Sequence, residues 1–378
     1  MNDFIKKELD ELASAGLTRT LREFIPDGSA LRGTINGRRV VNFSSNSYLG
    51  LDSHPGLKKA AAAALEKWPI GASASRLITG SGPWVSELEE KTAAWKKREA
   101  ALYFGSGYGA NVGIIAALAD RDTDLFLDKL DHASIVDGAV LSRAKLNRYR
   151  HNDTAELERL LKRSTAARKL VVTDTIFSMD GDSAPLEDIV GLCKKYDALL
   201  IVDEAHASGV FGKTGAGMME EIGLAGRAFL DMGTFSKALG VSGGYVAGDR
   251  ATIEYLINRA RSFIFTTATP PMVCAACAAA IEVVMTGEGT HLRERLQEHI
   301  ATLRAVIPAA ATQIVPLILG DIPATRAKYE ALLEKGLLAL PVRPPTVPTG
   351  TSRLRISLSA GHTDEEITAL VATLSTIN

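Results

Sequence analysis

The sequence predicts an α/β fold with a mainly parallel sheet, on three observations. Short β-branched, apolar runs recur through the middle of the chain, helical patterns lie between them, and several runs end in polar residues suited to a ligand crevice. Seven runs read as strands: residues 101–104, 124–128, 146–149, 170–173, 199–203, 228–232 and 244–247. The helical patterns between them fall near 109–119, 154–163 and 186–196. Two helices precede the first run. Residues 54–68 follow Asp52 and Ser53, carry Pro55 at an early helical position and have an alanine-rich body. Residues 85–98 place Leu88, Thr92 and Trp95 on one side. After about residue 276 the pattern changes. Helical stretches at 276–286 and 291–306 lead to an apolar run at 313–319, a further helix and a proline-rich loop at 341–348. A strand at 353–358 and a last helix close the chain. The expected organisation is an N-terminal segment (1–45), a large domain (46–275) and a smaller α+β domain (276–378).

Composition sets the function classes. A chain of 378 residues, 46% of them hydrophobic, has ample material for a large core. A formal net charge of −1 gives no electrostatic reason to expect nucleic acid or an acidic membrane as partner. Three cysteines, Cys193, Cys274 and Cys277, are too few for a disulfide framework. The last two have metal-site spacing but lie in an alanine-rich helical stretch with no second ligand pair, so helix packing is expected and no metal. The N-terminus is charged rather than a basic segment followed by an apolar run, and no stretch reads as long enough to span a bilayer. A cytoplasmic enzyme is the expectation.

The chemistry-bearing residues sit at strand ends. Lys237 lies among small and hydroxylated residues, Thr234 and Ser236 among them, just after an apolar run. A lysine there can condense with an aldehyde while hydroxyls and glycine amides grip a phosphate, which together describe pyridoxal 5′-phosphate (PLP). About thirty residues upstream, the run 199–203 ends in Asp203, with His206 three residues later. Residues just past the carboxyl end of a parallel strand line the ligand crevice. A carboxylate there can hold a pyridine nitrogen protonated, and the imidazole can reach the ring hydroxyl. Asp203 by itself reads equally as a helix cap. Asp203, His206 and Lys237 together, at successive strand ends, read as a site.

Several ordered motifs then resemble one family over nearly the whole chain, from about Arg22 to His362. They are 42–50 (NFSSNSYLG), 104–111 (FGSGYGAN), 131–134 (DHAS), 174–182 (DTIFSMDGD), the Asp203–His206 pair, Thr234 with Lys237, and 343–355 (RPPTVPTGTSRLR). These resemble the α-oxoamine synthases of the fold-type I PLP enzymes, which join an amino acid to an acyl thioester and release carbon dioxide. The resemblance implies a seven-stranded, mainly parallel sheet in the large domain. It implies that Lys237 holds the cofactor aldehyde and moves protons at the substrate α-carbon, that Asp203 pairs with the pyridine nitrogen, and that His206 meets the ring oxygen. It places His132 on the ring face and beside the reacting carboxylate or thioester, and Ser178 next to the cofactor. Gly107 and Tyr108 would offer backbone amides to the phosphate and Thr234 a hydroxyl. Thr266 and Thr267 resemble a phosphate-binding pair donated from a neighbouring subunit, which implies a homodimer.

Substrate recognition calls for a cation on the amino acid carboxylate. Arg353 and Arg355 share a face by alternation, so periodicity leaves both open; the resemblance selects Arg355. Arg343, Thr346 and Arg22 match positions that meet the acyl thioester or the carboxylate. The 343–348 loop and compact length are most similar to the branch that joins L-alanine to a pimeloyl thioester, on coenzyme A or acyl carrier protein, in biotin synthesis. Ser236, just before Lys237, resembles serine-using members instead. Glycine C-acetyltransferase, 5-aminolevulinate synthase and serine palmitoyltransferase types stay open, as does a fold-type I aminotransferase.

Overall fold

The structure, a computed structural model, describes residues 3–376; the first and last two residues of the expected terminal segments lie outside it. The chain divides into two compact units. The larger comprises Ser47–Ser178 and Asp182–Arg295; the smaller comprises the residues up to Asn46, Met179–Gly181 and the residues from Leu296 onward.

The smaller unit begins with helix α1 (Asp3–Ser14) and three antiparallel strands, β1 (Phe24–Pro26), β2 (Arg32–Ile35) and β3 (Arg38–Asn42). The larger unit carries the seven strands expected from the sequence: β4 (Ala100–Phe104), β5 (Thr123–Asp128), β6 (Lys145–Tyr149), β7 (Arg168–Asp174), β8 (Leu199–Asp203), β9 (Leu230–Thr234) and β10 (Gly244–Gly248). They form one sheet in the order β4-β10-β9-β8-β7-β5-β6, in which β10 alone runs against its neighbours. Strands β5, β9 and β10 are buried from end to end, and β4 and β8 in all but their first residue, as continuous apolar runs in a covered parallel sheet should be. One strand differs from expectation: β9 starts two residues later than its apolar run, because its pairing with β8 opens at Leu230 opposite Ile201 and its end is held by β10, with Thr234 opposite Gly244.

Helices cover the sheet. In α2 (Pro55–Lys67) the N-cap is His54, whose Nδ1 accepts from the Gly56 amide. The expected side of α3 (Pro83–Lys96), with Leu88, Thr92 and Trp95, is buried. One face of the sheet packs on α4 (Gly107–Leu118) and α5 (Ala133–Ser142) through Ile114, Ile115, Ile135 and Ala139. The apolar helix α6 (Pro271–Met285), which buries Cys274 and Cys277, packs on α2 and α3. It therefore belongs with the larger unit, and the boundary expected near residue 275 falls at 295 instead.

The smaller unit resumes within α7 (Gly287–Arg304) and continues with β11 (Ile314–Gly320), α8 (Ile322–Glu334), β12 (Leu337–Leu338), β13 (Pro341–Val342), β14 (Ser352–Ser357) and α9 (Asp364–Thr376). Strand β12 pairs in parallel with β3, nearly three hundred residues earlier, so the N-terminal segment expected to stand apart is part of the C-terminal unit. Such long-range pairing leaves no periodic signal in the sequence.

His362 shows how tightly this unit is closed. It is fully buried against Phe43, its Nδ1 accepts from the Ser359 amide and its Nε2 donates to the Asn42 carbonyl. Burial pushes its imidazole down to about 4. An unfolded imidazole takes up a proton near pH 6.5, whereas the native ring resists until about pH 4. The native state should therefore weaken as pH falls through that window, by on the order of 3 kcal/mol in total. The stability difference between wild type and His362→Asn, measured by denaturant unfolding, should shrink between pH 7.5 and pH 4.5; a difference independent of pH would refute this.

Candidate active site

Parallel pairing brings the carboxyl ends of β7, β8 and β9 into register, with Asp174 opposite Asp203 and Asp203 opposite Met232. A cavity of about 240 Å³ opens at these ends, and Lys237, His206, Asp203, His132, Asn111 and Gly107 all line it. Strand ends of an open parallel sheet are where such crevices form.

The turn carrying Lys237 follows β9 directly. It closes through Gly240, at φ 71°, where an added Cβ would stand 2.3 Å from the Asp52 amide nitrogen, so only glycine fits. Lys237 Nζ lies 3.0 Å from His206 Nε2, and His206 Nδ1 lies 2.7 Å from the hydroxyl of Tyr48, which is fully buried. An ammonium only donates, so Nε2 accepts from Lys237 and the other ring nitrogen donates to Tyr48. Asp203 is buried, and each of its oxygens accepts one hydrogen bond: Oδ1 from the Ala205 amide at 2.8 Å, Oδ2 from Asn111 Nδ2 at 2.7 Å.

On the opposite wall, Gly107 and Tyr108 are the first two residues of α4, capped by Ser106, whose Oγ accepts from the Gly109 amide. First-turn amides have no partner within the helix and favour an anion. A Cβ at Gly107 would come within 3.2 Å of Met232 Cε, so glycine keeps this approach open. The Thr234 hydroxyl donates to the Gly243 carbonyl at 2.7 Å and contacts Ser236 Oγ at 2.7 Å, so it also ties the lysine turn to β10.

The ring of His132 is held through Nδ1 by Ser134, both hydroxyl (2.7 Å) and amide (3.2 Å). Desolvation lowers its pKa below the ordinary imidazole value; the negative charge of Asp203 opposes that shift and the positive charge of Lys237 adds to it. Asp174 donates no bond here but accepts the His132 amide at 2.8 Å. Burial, then the nearby Asp203 charge, pushes the Asp174 carboxyl well above its usual range.

The donor set fits PLP. An amine, a buried carboxylate and an anion-favouring helix start share one cavity, and beside Asp203 the buried Asn111 Oδ1 lacks a donor. A cavity occupant that brings a hydrogen-bond donor is what such a buried acceptor calls for.

Other expected site residues fall elsewhere. Ser178 is buried but outside the cavity lining, in the turn closed by the bridge between Ile176 and Ser183. Thr266 and Thr267 are exposed and border a separate crevice with Arg76. Four residues lie in the smaller unit. Arg22 stands 5.8 Å from the Tyr329 ring, Arg343 donates to the carbonyls of Gly16 and Thr18, and Thr346 accepts from Arg19. Arg355 donates to Asn46 and Ser357. Arg353 is paired with Asp180, a distinction that strand alternation does not carry. Sequence reasoning assigned no role to Asn111, Ser134 and Tyr48, although all three lie inside quoted motifs. Asn111 was findable: it is one helical turn past Gly107, on the same face.

Because opposite charges act on His132, its titration should respond in opposite directions. Followed by NMR in cofactor-free protein, its pKa should rise in Lys237→Met and fall in Asp203→Asn; shifts of the same sign in both would refute the arrangement.

Known proteins carry the same architecture. Residues 38–374 match the family described as aminotransferase class I and II. The chain is 49% identical to 8-amino-7-oxononanoate synthase of Anaeromyxobacter dehalogenans strain 2CP-1, over 99% of this chain and 95% of that protein. It is 47% identical to 8-amino-7-oxononanoate synthase of Geobacter sulfurreducens, over 100% and 98%. Among solved structures, serine palmitoyltransferase from S. paucimobilis with a bound PLP–myriocin adduct superposes with a TM-score of 0.91 at 33% identity, covering 99% of this chain and 96% of that one. The 8-amino-7-oxononanoate synthase of Francisella tularensis gives a TM-score of 0.76 at 28% identity, over 89% and 97%.

Proposed function

Since this chain belongs to the aminotransferase class I and II family, and within it to the α-oxoamine synthases of PLP fold type I, we propose that it is a PLP-dependent acyltransferase acting as an 8-amino-7-oxononanoate synthase. It condenses L-alanine with a pimeloyl thioester and releases carbon dioxide and free thiol, a step of biotin biosynthesis. The convergence of Lys237, His206, His132 and Asp203 on one cavity carries the chemistry. The choice of substrates is supported by 49% identity over 99% of the chain.

Lys237 would hold the cofactor at its aldehyde, Asp203 at the pyridine nitrogen, His206 at the ring oxygen and His132 at the ring face. The first-turn amides of Gly107 and Tyr108, with Thr234, would hold the phosphate. When bound, PLP supplies a cationic ring that accepts the electron pair released at the amino acid α-carbon. Lys237 takes the α-proton and later returns one, and its ammonium form is held by His206. Asp203, buried and accepting two hydrogen bonds, would be the counter-ion that the ring nitrogen needs. His132, kept neutral by its surroundings, offers a hydrogen bond to the departing carboxylate or to the thioester carbonyl.

Three further assignments belong to this proposal. Arg355 binds the alanine carboxylate, its guanidinium fork matching a carboxylate in a bidentate way. Arg22, Arg343 and Thr346 serve the acyl thioester or the carboxylate, and Ser178 lies beside the cofactor. The enzyme works as a cytoplasmic homodimer in which Thr266 and Thr267 reach the phosphate of a second copy of this chain; both are exposed and neither lines its own chain's cavity.

Product identification by mass spectrometry, with alanine, glycine and serine each offered against several acyl thioesters, should give 8-amino-7-oxononanoate as the main product. A preference for glycine or serine would move the chain to another branch. Lys237→Ala should fold yet lose both turnover and the visible absorbance of bound cofactor; an active, colourless variant would contradict the assignment. Asp203→Asn should still bind PLP but turn over on the order of 100-fold more slowly, the scale of losing one well-placed electrostatic group.

A further inference from the structure

Between Asp203 and His132 the structure holds a continuous hydrogen-bonded bridge made of two fully enclosed side chains. Asn111 is 1% exposed and Ser134 is 0% exposed. Asn111 Nδ2 lies 2.7 Å from Asp203 Oδ2 and 2.9 Å from Ser134 Oγ, and Ser134 Oγ lies 2.7 Å from His132 Nδ1. The directions follow from the groups themselves. A negative carboxylate only accepts, so the amide must face Asp203 with its nitrogen; the reverse orientation would set oxygen against oxygen. The same nitrogen gives its second hydrogen to Ser134 Oγ. That leaves the serine's own proton for His132 Nδ1, which also accepts from the Ser134 amide. With two donors aimed at Nδ1, the proton of the neutral ring sits on Nε2.

We propose that Asn111 and Ser134 are positioning residues that tie Asp203 to His132, holding the carboxylate in place and fixing His132 as the Nε2–H tautomer. The bridge rests on the reading of the site as a PLP centre, and it deepens that reading in one respect. His132 meets the substrate as a neutral donor, so it suits an oxygen acceptor, whether carboxylate or thioester carbonyl, and does not serve as a base through Nε2. Asn111 is locked by both of its hydrogens, and its Oδ1, buried and without a partner, is left to accept from whatever occupies the cavity.

The test reads the imidazole itself in cofactor-free protein, where activity plays no part. With 15N-labelled histidine at pH 8, and His132 assigned by loss of its signals in His132→Gln, Nδ1 should show the shift of an unprotonated nitrogen and Nε2 that of a protonated one. Ser134→Ala should move the tautomer ratio toward Nδ1–H by about five-fold, the worth of one neutral hydrogen bond. Asn111→Leu, which removes no contact with His132, should shift the ratio in the same direction; Asn111→Ala gives the same reading if the leucine variant does not fold. A wild-type proton on Nδ1, or a ratio that responds to Ser134 but not to Asn111, overturns the proposal. Wild-type turnover of alanine and pimeloyl-coenzyme A is scored separately: an active enzyme with the proton on Nδ1 sinks the bridge alone, and an inactive one with the proton on Nε2 sinks the functional assignment alone.

Discussion

Two buried carboxylates forced side by side by strand register govern the larger unit. Asp174 and Asp203 are paired residues of β7 and β8, and both are almost wholly enclosed. Placing like charges together away from water is costly unless donors and cations surround them. The protein answers on both fronts. Asp174 is driven toward its neutral form by burial and by its neighbour's charge, while Asp203 collects the Ala205 amide and the Asn111 side chain. Farther along the strand ends the same problem recurs: Asp131, also pushed well above its usual range by burial and by Asp174, accepts the amides of Asp128 and Asp174. His151, raised to about 10 despite its burial by bonds to Asp128 and Asp182, supplies a cation there.

This arrangement explains why one acid is suited to grip a cationic ring. Asp203 is met by preorganised donors, whereas Asp174 is pushed toward its neutral form and accepts the His132 backbone amide. Environment divides the labour between two chemically identical side chains. The lysine that works opposite Asp203 is held on a turn whose glycine, Gly240, is pressed against the backbone at Asp52, so the amine is delivered by a rigid element rather than a loose loop.

Much of this was legible in the residues. The seven strands were placed to within about two residues because buried parallel strands are written as continuous apolar runs, and Asp203, His206 and Lys237 were found because each follows such a run. What escaped were relations between distant segments. Asn111 and Ser134 look like ordinary helix residues until α4 and α5 bring them between Asp203 and His132. Arg353 and Arg355 are equivalent by alternation, and the pairing of Arg353 with Asp180 is visible only in the folded chain. The N-terminal strands join the C-terminal unit through a two-residue strand too short to announce itself.

The sequence by itself determined the α/β class and set an amine, an acid and an imidazole at strand ends, since local pattern and residue type are enough for these. Tertiary structure alone decided the unit boundaries, the partner of each hydrogen bond and the direction in which burial pushes groups such as Asp174 and His132. Those depend on which groups become neighbours when water is excluded, and no single segment of the chain contains that information.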